Sequence, residues 1–429
     1  MGNPKHRPVG YRWRSSKLFI IGTMCIALYA ETFLYGFIVP MLGYMFQTRL
    51  HRDPSETQWF TSAILAVHGY VSALSGPIIG HFADKSPDRK TPLVLSLVVC
   101  VIGTVMIAWC SSLTVLFAGR ILQGIAGTVV WIVGLASIAA TVSPDRIGTT
   151  MGVAMSFVNA GTISGPMASG LLLEWSGYWA TWSIPLVVLV IDIALRLIMI
   201  EKTDTDQAPS TPPLEETTTL LRETPHQPAA EKNFWKTMLR DSRVIVALAV
   251  QVTTVSLSSS FSATLPLHVQ KTFGWGTAVV GLQFTYLAVP GLLFSPLVGW
   301  IRDRIGVRYP TVVAFIFLSM SLWLLGVPGN DHFPWAGASN RGPAVYTAAI
   351  IFYGIVRPFS SGVAPLELTS VVNEYHKKQP GIFGPRGGLS RVFSMIEIAA
   401  ASGLTVGPII SGFLVETVNY TTMAWTLSK

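Results

Sequence analysis

Eleven apolar runs, at about 18–46, 57–83, 91–110, 113–141, 147–175, 178–200, 244–270, 276–301, 309–328, 343–370 and 392–417, account for most of this chain. Each is long enough to cross a bilayer as a helix, the open-ended element that satisfies its own backbone in lipid. That feature excludes a set of soluble domains. Half of the 429 residues are hydrophobic and only 12% are charged, which a water-soluble surface could not accommodate. Disorder is excluded as well, because 21 Phe, 13 Trp and 12 Tyr are too much aromatic mass. The fold class expected is an all-α polytopic membrane protein.

Basic residues orient it. With the N-terminus in the cytosol, the tail and the even-numbered loops carry 22 Lys and Arg. The opposite side carries only Arg49, Arg52, Lys271 and Arg341. This is a strong positive-inside bias, so the net charge of +8 is read as topology and no nucleic-acid partner is expected. The three cysteines, Cys25, Cys100 and Cys110, lie in apolar runs and are expected to pack as small hydrophobes.

Four segments follow: a basic cytosolic tail, 1–17; a first half of six spans, 18–200; a polar cytosolic linker, 201–243; and a second half, 244–429, with five spans. The linker is rich in Thr, Pro and Glu and is expected to be mobile. Within it, Glu216-Thr-Thr-Thr-Leu220-Leu221 resembles an acidic dileucine sorting signal. Asn419-Tyr420-Thr421 is a glycan acceptor pattern on the outer side. The residues after it start like a twelfth span, so a truncated chain or variant is expected.

The chain repeats itself. Pro77-Ile-Ile-Gly80-His-Phe-Ala-Asp84-Lys85 ends the second span, and Pro296-Leu-Val-Gly299-Trp-Ile-Arg-Asp303-Arg304 ends the eighth. Gly161-x-x-x-Gly165-Pro166-x-x-x-Gly170 in the fifth recurs as Gly403-x-x-x-Gly407-Pro408-x-x-x-Gly412 in the eleventh. Motifs six spans apart, in the same order, indicate two parallel repeats. Gly80 and Gly299 are expected to let helices approach, while Asp84 and Asp303 are placed to latch cytosolic helix ends.

Ionisable residues inside spans are costly and mark pathways. Glu31 in the first span, His68 in the second and Glu397 in the eleventh are the candidates for carrying protons. Asp192 and Arg196, spaced i, i+4, are expected to form a local ion pair. Trp131, Tyr286 and Tyr353 are candidates for lining an apolar cavity, against the commoner alternative of packing or facing lipid. No His/Cys ligand cluster, nucleophile elbow, phosphate loop or dinucleotide fingerprint occurs, so neither an enzyme nor a cofactor or metal is expected.

These motifs resemble the major facilitator superfamily over nearly the whole chain. Gly80…Asp84-Lys85…Arg89-Lys90 is similar to its cytosolic loop signature, although Ser86-Pro87-Asp88 replaces a tight glycine turn. Arg120-x-x-Gln123-Gly124-x-x-Gly127 resembles the second signature, and Gly161…Gly165-Pro166…Gly170 resembles the one associated with antiporters. The resemblance implies two pseudo-symmetric six-helix halves, of which the twelfth helix is missing here. It also implies a latch built from Gly80, Asp84, Lys85, Arg89, Arg120, Asp303 and Arg304, with Arg120 in addition organising the proton site.

The resemblance narrows to the vesicular amine transporter branch of the drug:proton antiporters. That branch has acids at the positions of Glu31 and Glu397, and a lysine at the position of His68. A His68–Glu397 pair across the halves is therefore implied. Histidine in that place is itself able to exchange protons, since it titrates near about pH 6.5. Arg357 replaces a tenth-span acid of the branch, which implies a neutral or anionic substrate. The function implied is proton-coupled export of a small organic molecule, such as a secondary metabolite or drug, as fungal-like members suggest. A nutrient symporter or facilitator of the same fold, or a non-transporting relative, is the alternative. The partners expected are that substrate, protons and the lipid bilayer. A monomer in the plasma membrane is expected, with a vacuolar or vesicular membrane as the other possibility.

Overall fold

The computed structural model describes residues 10–85, 90–142, 147–200, 233–330, 332–338, 341–379, 382–383 and 388–429. Ten of its helical stretches are long and apolar enough to cross a membrane, and one of them, Thr150–Ile198, is far longer than a single crossing. There Gly177, at φ 78°, breaks the helix Ile147–Ile198. Only glycine takes that backbone conformation without strain. The break divides that stretch in two, which makes eleven membrane-length segments among the described residues.

We number these α1 (Lys17–Phe37), α2 (Thr57–Lys85), α3 (Lys90–Ala108), α4 (Leu113–Val129), α5 (147–176) and α6 (178–198). The second half contains α7 (Ser242–Phe273), α8 (Thr277–Ile305), α9 (Arg308–Leu325), α10 (Gly342–Val356, resuming as Val363–Lys378) and α11 (Leu389–Thr417). A nine-residue helix, α12 (Tyr420–Ser428), follows; Trp425 Nε1 donates to the Trp323 carbonyl of α9 at 3.2 Å.

Two kinds of seam organise the bundle, each occurring twice. Within a half, α1 lies along α5, and α7 along α11. Between halves, α2 lies along α11, and α5 along α8. The repeated glycines explain the closeness. A Cβ on Gly161 would lie 2.5 Å from the Tyr29 carbonyl of α1, and one on Gly403 would lie 2.7 Å from the Val252 carbonyl of α7. Without a hydrophobic driving force in lipid, such contact and interhelical hydrogen bonds hold helices together. Thr32 Oγ1 donates to the Val158 carbonyl at 3.1 Å, and Ser260 Oγ to the Gly407 carbonyl at 3.1 Å.

Gly299 behaves differently. A Cβ there would meet nothing within 4 Å, so the close approach expected of it is absent. Replacing Gly165, whose Cβ would lie 3.0 Å from Phe37 N, with alanine should cost about 1–3 kcal/mol. Gly299→Ala should stay within about 0.5 kcal/mol of the parent. Thermal melting in detergent checks both.

Basic side chains meet the end of α6. Arg14 Nε donates to the Ile198 carbonyl at 2.6 Å, and Lys90 Nζ to the Met199 carbonyl at 2.6 Å. Cations thus satisfy the orphan carbonyls that end α6. Of the linker expected over 201–243, residues 201–232, including the dileucine-like stretch, lie outside the described residues. Its last part is ordered: Asn233 caps the helix Phe234–Met238, whose Phe234 and Met238 are buried beside Phe383 and Val363. Residues 233–243 are therefore structured.

Candidate functional site

The first half encloses a polar cluster formed by α1, α2, α3 and α4. Glu31, His68 and Arg120 are 7%, 5% and 0% exposed. The spacing of Arg120, Gln123, Gly124 and Gly127 puts all four on one face of α4. That face uses its glycines as space. A Cβ on Gly127 would intrude on the Glu31 carboxylate, and one on Gly124 would lie 3.0 Å from the His68 carbonyl. Glycine lets α4 close over both ionisable groups.

His68 Nε2 lies 3.7 Å from Glu31 Oε1, an ion-pair rather than a hydrogen-bond distance. Its Nδ1 has no partner among the described residues, and its ring sits 5.1 Å from that of Tyr35. Arg120 Nη1 donates to Gln123 Oε1 at 3.0 Å, and Gln123 Nε2 passes the chain to Thr104 Oγ1 at 2.9 Å. The guanidinium carbon lies 4.9 Å over the Tyr35 ring. Its Nε and Nη2 have no hydrogen-bond partner among the described residues. A fully buried guanidinium thus retains unused donors among the described residues.

A second charged pair lies beside the first. Arg196 Nε and Nη2 donate to the two Asp192 carboxylate oxygens, both at 2.9 Å, and Nη1 donates to the Leu93 carbonyl at 2.7 Å. This is the i, i+4 pair expected, and it is completely buried. A cavity of about 10 Å³ is lined by Glu31, Ser96, Asp192 and Arg196, room for about one water.

Glu397, 9% exposed on α11, faces the first half across the α2–α11 seam. Ser394, one turn away, donates to the Gly76 carbonyl at 3.0 Å. The implied His68–Glu397 pair is not formed: His68 is paired with Glu31 instead. Helix rotation is the reason. The next residue, Gly69, is the one that meets α11, where its Cβ would lie 2.7 Å from the Ala401 carbonyl. One residue turns an α-helix by about 100°, so His68 is directed to α1. Glu397 has no hydrogen bond or ion pair among the described residues.

The expected latch is only partly described. Gly80 is buried near the end of α2. The side chains of Asp84, Lys85 and Asp303, and Arg89 as a whole, lie outside the described residues. Arg304 is exposed and lies 4.2 Å over the Trp300 ring of its own helix. Arg302 makes the inter-helix contact: its Nη2 donates to the Phe359 and Ser361 carbonyls at 2.9 and 2.8 Å. These carbonyls are freed where the 3₁₀ turn Arg357–Phe359 interrupts α10. Arg120, grouped with the latch by resemblance, is positioned in the Glu31 cluster.

The four residues considered for a substrate cavity are dispersed. Tyr353 is fully buried with its ring 4.8 Å from that of Phe261, and Trp131 packs half-buried in a separate cluster. Tyr286 is 39% exposed, and Arg357 is half-buried at the α10 break. Asn419 is exposed, and its Oδ1 caps α12 by accepting from Thr422 N at 2.7 Å. Tyr35 was not singled out in the sequence; its i, i+4 spacing from Glu31, one turn along the same face, is the signal that marks it.

Comparison with known proteins agrees with this architecture. The model of the Major Facilitator Superfamily matches residues 22–384. An uncharacterized MFS-type transporter of Schizosaccharomyces pombe is 30% identical, over 97% of this chain and 93% of the relative. The vesicular acetylcholine transporter of Tetronarce californica is 24% identical over 44% of this chain and 42% of its own. The tetracenomycin C resistance and export protein of Streptomyces glaucescens is 23% identical over 73% and 63%. Among solved structures, a POT family transporter in complex with a thioalcohol-conjugated peptide superposes with TM-score 0.69 at 14% identity, covering 95% and 93%.

Proposed function

Because the chain belongs to the major facilitator superfamily, and is a multi-pass membrane transporter rather than an enzyme, we propose that it is a proton-coupled antiporter exporting a small organic molecule. The observation carrying this reading is Glu31, buried between His68 and a fully buried Arg120 with unused donors. A carboxyl in that position can take a proton from one side and release it to the other as the halves rock. Glu397, unpaired on the opposing half, is the second proton-carrying group. The glycine face of α5 against α1 supports exchange over symport by its resemblance to the antiporter signature. The export named for the Streptomyces relative is compatible with a secondary metabolite or drug as cargo.

Cargo charge follows from the donors. Arg120 and Arg357 have guanidinium nitrogens without a hydrogen-bond partner among the described residues, and Arg357 stands where the branch it resembles has a tenth-span acid. The substrate proposed is neutral or anionic. The proposed protein acts as a monomer in the plasma membrane, with Asn419 carrying a glycan and the cytosolic loops latching its inward-facing state.

Transport into sealed vesicles, with a proton gradient imposed and then collapsed, tests the reading against a panel of organic anions, cations and neutral metabolites. Glu397→Gln should cut gradient-driven transport at least about tenfold while leaving the melting temperature within a few degrees. Wild-type rates from that variant would remove Glu397 from the mechanism. Uptake with the proton gradient, rather than against it, would establish symport instead.

A further inference from the structure

The antiporter-like repeat extends further than its glycines. Gly165-Pro166-x-x-Ser169-Gly170-x-Leu172-x-Glu174 matches Gly407-Pro408-x-x-Ser411-Gly412-x-Leu414-x-Glu416 position for position. Each half therefore ends its fifth helix with a glutamate at the matching position, Glu174 on α5 and Glu416 on α11.

Only one of these carboxylates is engaged. Glu174 Oε2 accepts from Ala278 N at 2.8 Å and from Thr277 Oγ1 at 3.4 Å, so it caps the first turn of α8. Helix N-termini carry free N–H groups and partial positive charge, which suit an anionic acceptor. The seam below is closed: a Cβ on Gly170 would intrude on the Thr277 carbonyl, and one on Gly281 would lie 2.8 Å from the Pro166 carbonyl. Gly276 leaves the carboxylate its space, since a Cβ there would lie 2.7 Å from Glu174 Oε2.

Glu416 has no such target. Its counterpart helix, α2, is preceded by the 3₁₀ turn Pro54–Glu56, which Asp53 already caps by accepting from Ser55 N at 2.7 Å. That extra turn puts Gln58 and Trp59, the counterparts of Thr277 and Ala278, inside the helical segment. Glu416 instead lines an outer cleft of about 640 Å³ with Glu56, Trp59 and Lys271, and has no hydrogen-bond partner among the described residues.

We propose that the Glu174 cap on α8 is the outer gate contact of the transport cycle, formed when the outer face is closed and broken when it opens, and that Glu416 has no equivalent role. This goes beyond proton coupling and does not depend on it.

The test is the outer separation of the halves at fixed pH without substrate. Spin labels replace the exposed Trp109 and Trp335, in a chain whose buried Cys25, Cys100 and Cys110 are changed to alanine. Glu174→Ala should raise the outward-open population about tenfold, because a charge-assisted hydrogen bond to a helix end is lost. Gly276→Ala, which displaces the carboxylate without removing it, should do the same and carries the test if Glu174→Ala does not fold. Glu174→Gln, which keeps an acceptor oxygen, should fall between Glu174→Ala and the parent. Glu416→Ala should leave the distribution unchanged. Parent-like distributions in both Glu174→Ala and Gly276→Ala, or an equal shift in Glu416→Ala, would overturn the proposal. Proton-driven transport, measured separately, would stand or fall on its own.

Discussion

Glu31→Gln is expected to lower gradient-driven transport by about 100-fold or more while leaving gradient-free substrate exchange largely intact. Glutamine matches the shape of a protonated glutamate but cannot release a proton. The variant therefore holds the loaded form permanently, with the amide still fitting the space that Gly127 provides. Exchange of substrate for substrate requires no net proton release, so it survives. Net transport against a gradient does require it. Comparable losses in both assays would instead indicate that Glu31 is structural, or that it binds substrate without carrying protons.

The second large effect concerns stability. Asp192→Ala should destabilise the protein by about 3–5 kcal/mol, because it leaves the Arg196 charge buried with only the Leu93 carbonyl as partner. The paired change Asp192→Leu with Arg196→Met should recover most of that loss. Removing both charges eliminates the desolvation cost along with the attraction. Thermal unfolding in lipid or detergent reads the difference. A loss below about 1 kcal/mol in Asp192→Ala would show that water reaches Arg196 and that the pair is not sealed. Because both residues share a water-sized cavity with Glu31, the paired variant should also be assayed for proton-driven transport.

Much of the architecture could be read directly from residues. Apolar length gave the spans because lipid leaves the backbone few alternatives. The Gly161/Gly165 and Gly403/Gly407 repeats indicated the two halves, and both pairs occupy equivalent seams. The i, i+4 spacing of Asp192 and Arg196 gave their pairing, since partners on one helix have a fixed geometry.

Contacts between helices were less legible. Glu31, His68 and Glu397 were identifiable as costly charges in lipid, but which two meet depends on helix rotation. His68 faces Glu31 and Gly69 faces α11 because of a single residue step. Gly299 shared its motif with Gly80, yet nothing packs on it. Arg302 rather than Arg304 reaches α10, because the carbonyls it binds are freed by a break at Arg357–Phe359. Spacing within a motif does not specify the neighbour it will face.

The central claim is coupled exchange of protons for an organic substrate through the Glu31 cluster. It is tested most directly in proteoliposomes containing the purified protein and a pH-sensitive dye. Adding transported substrate outside vesicles with an acidic lumen should drive substrate inward as protons leave, and a protonophore should abolish the accumulation. Glu31→Gln vesicles should show neither substrate accumulation nor the coupled proton exit. Accumulation that persists after the pH difference is collapsed, or substrate entry without proton exit, would contradict the account.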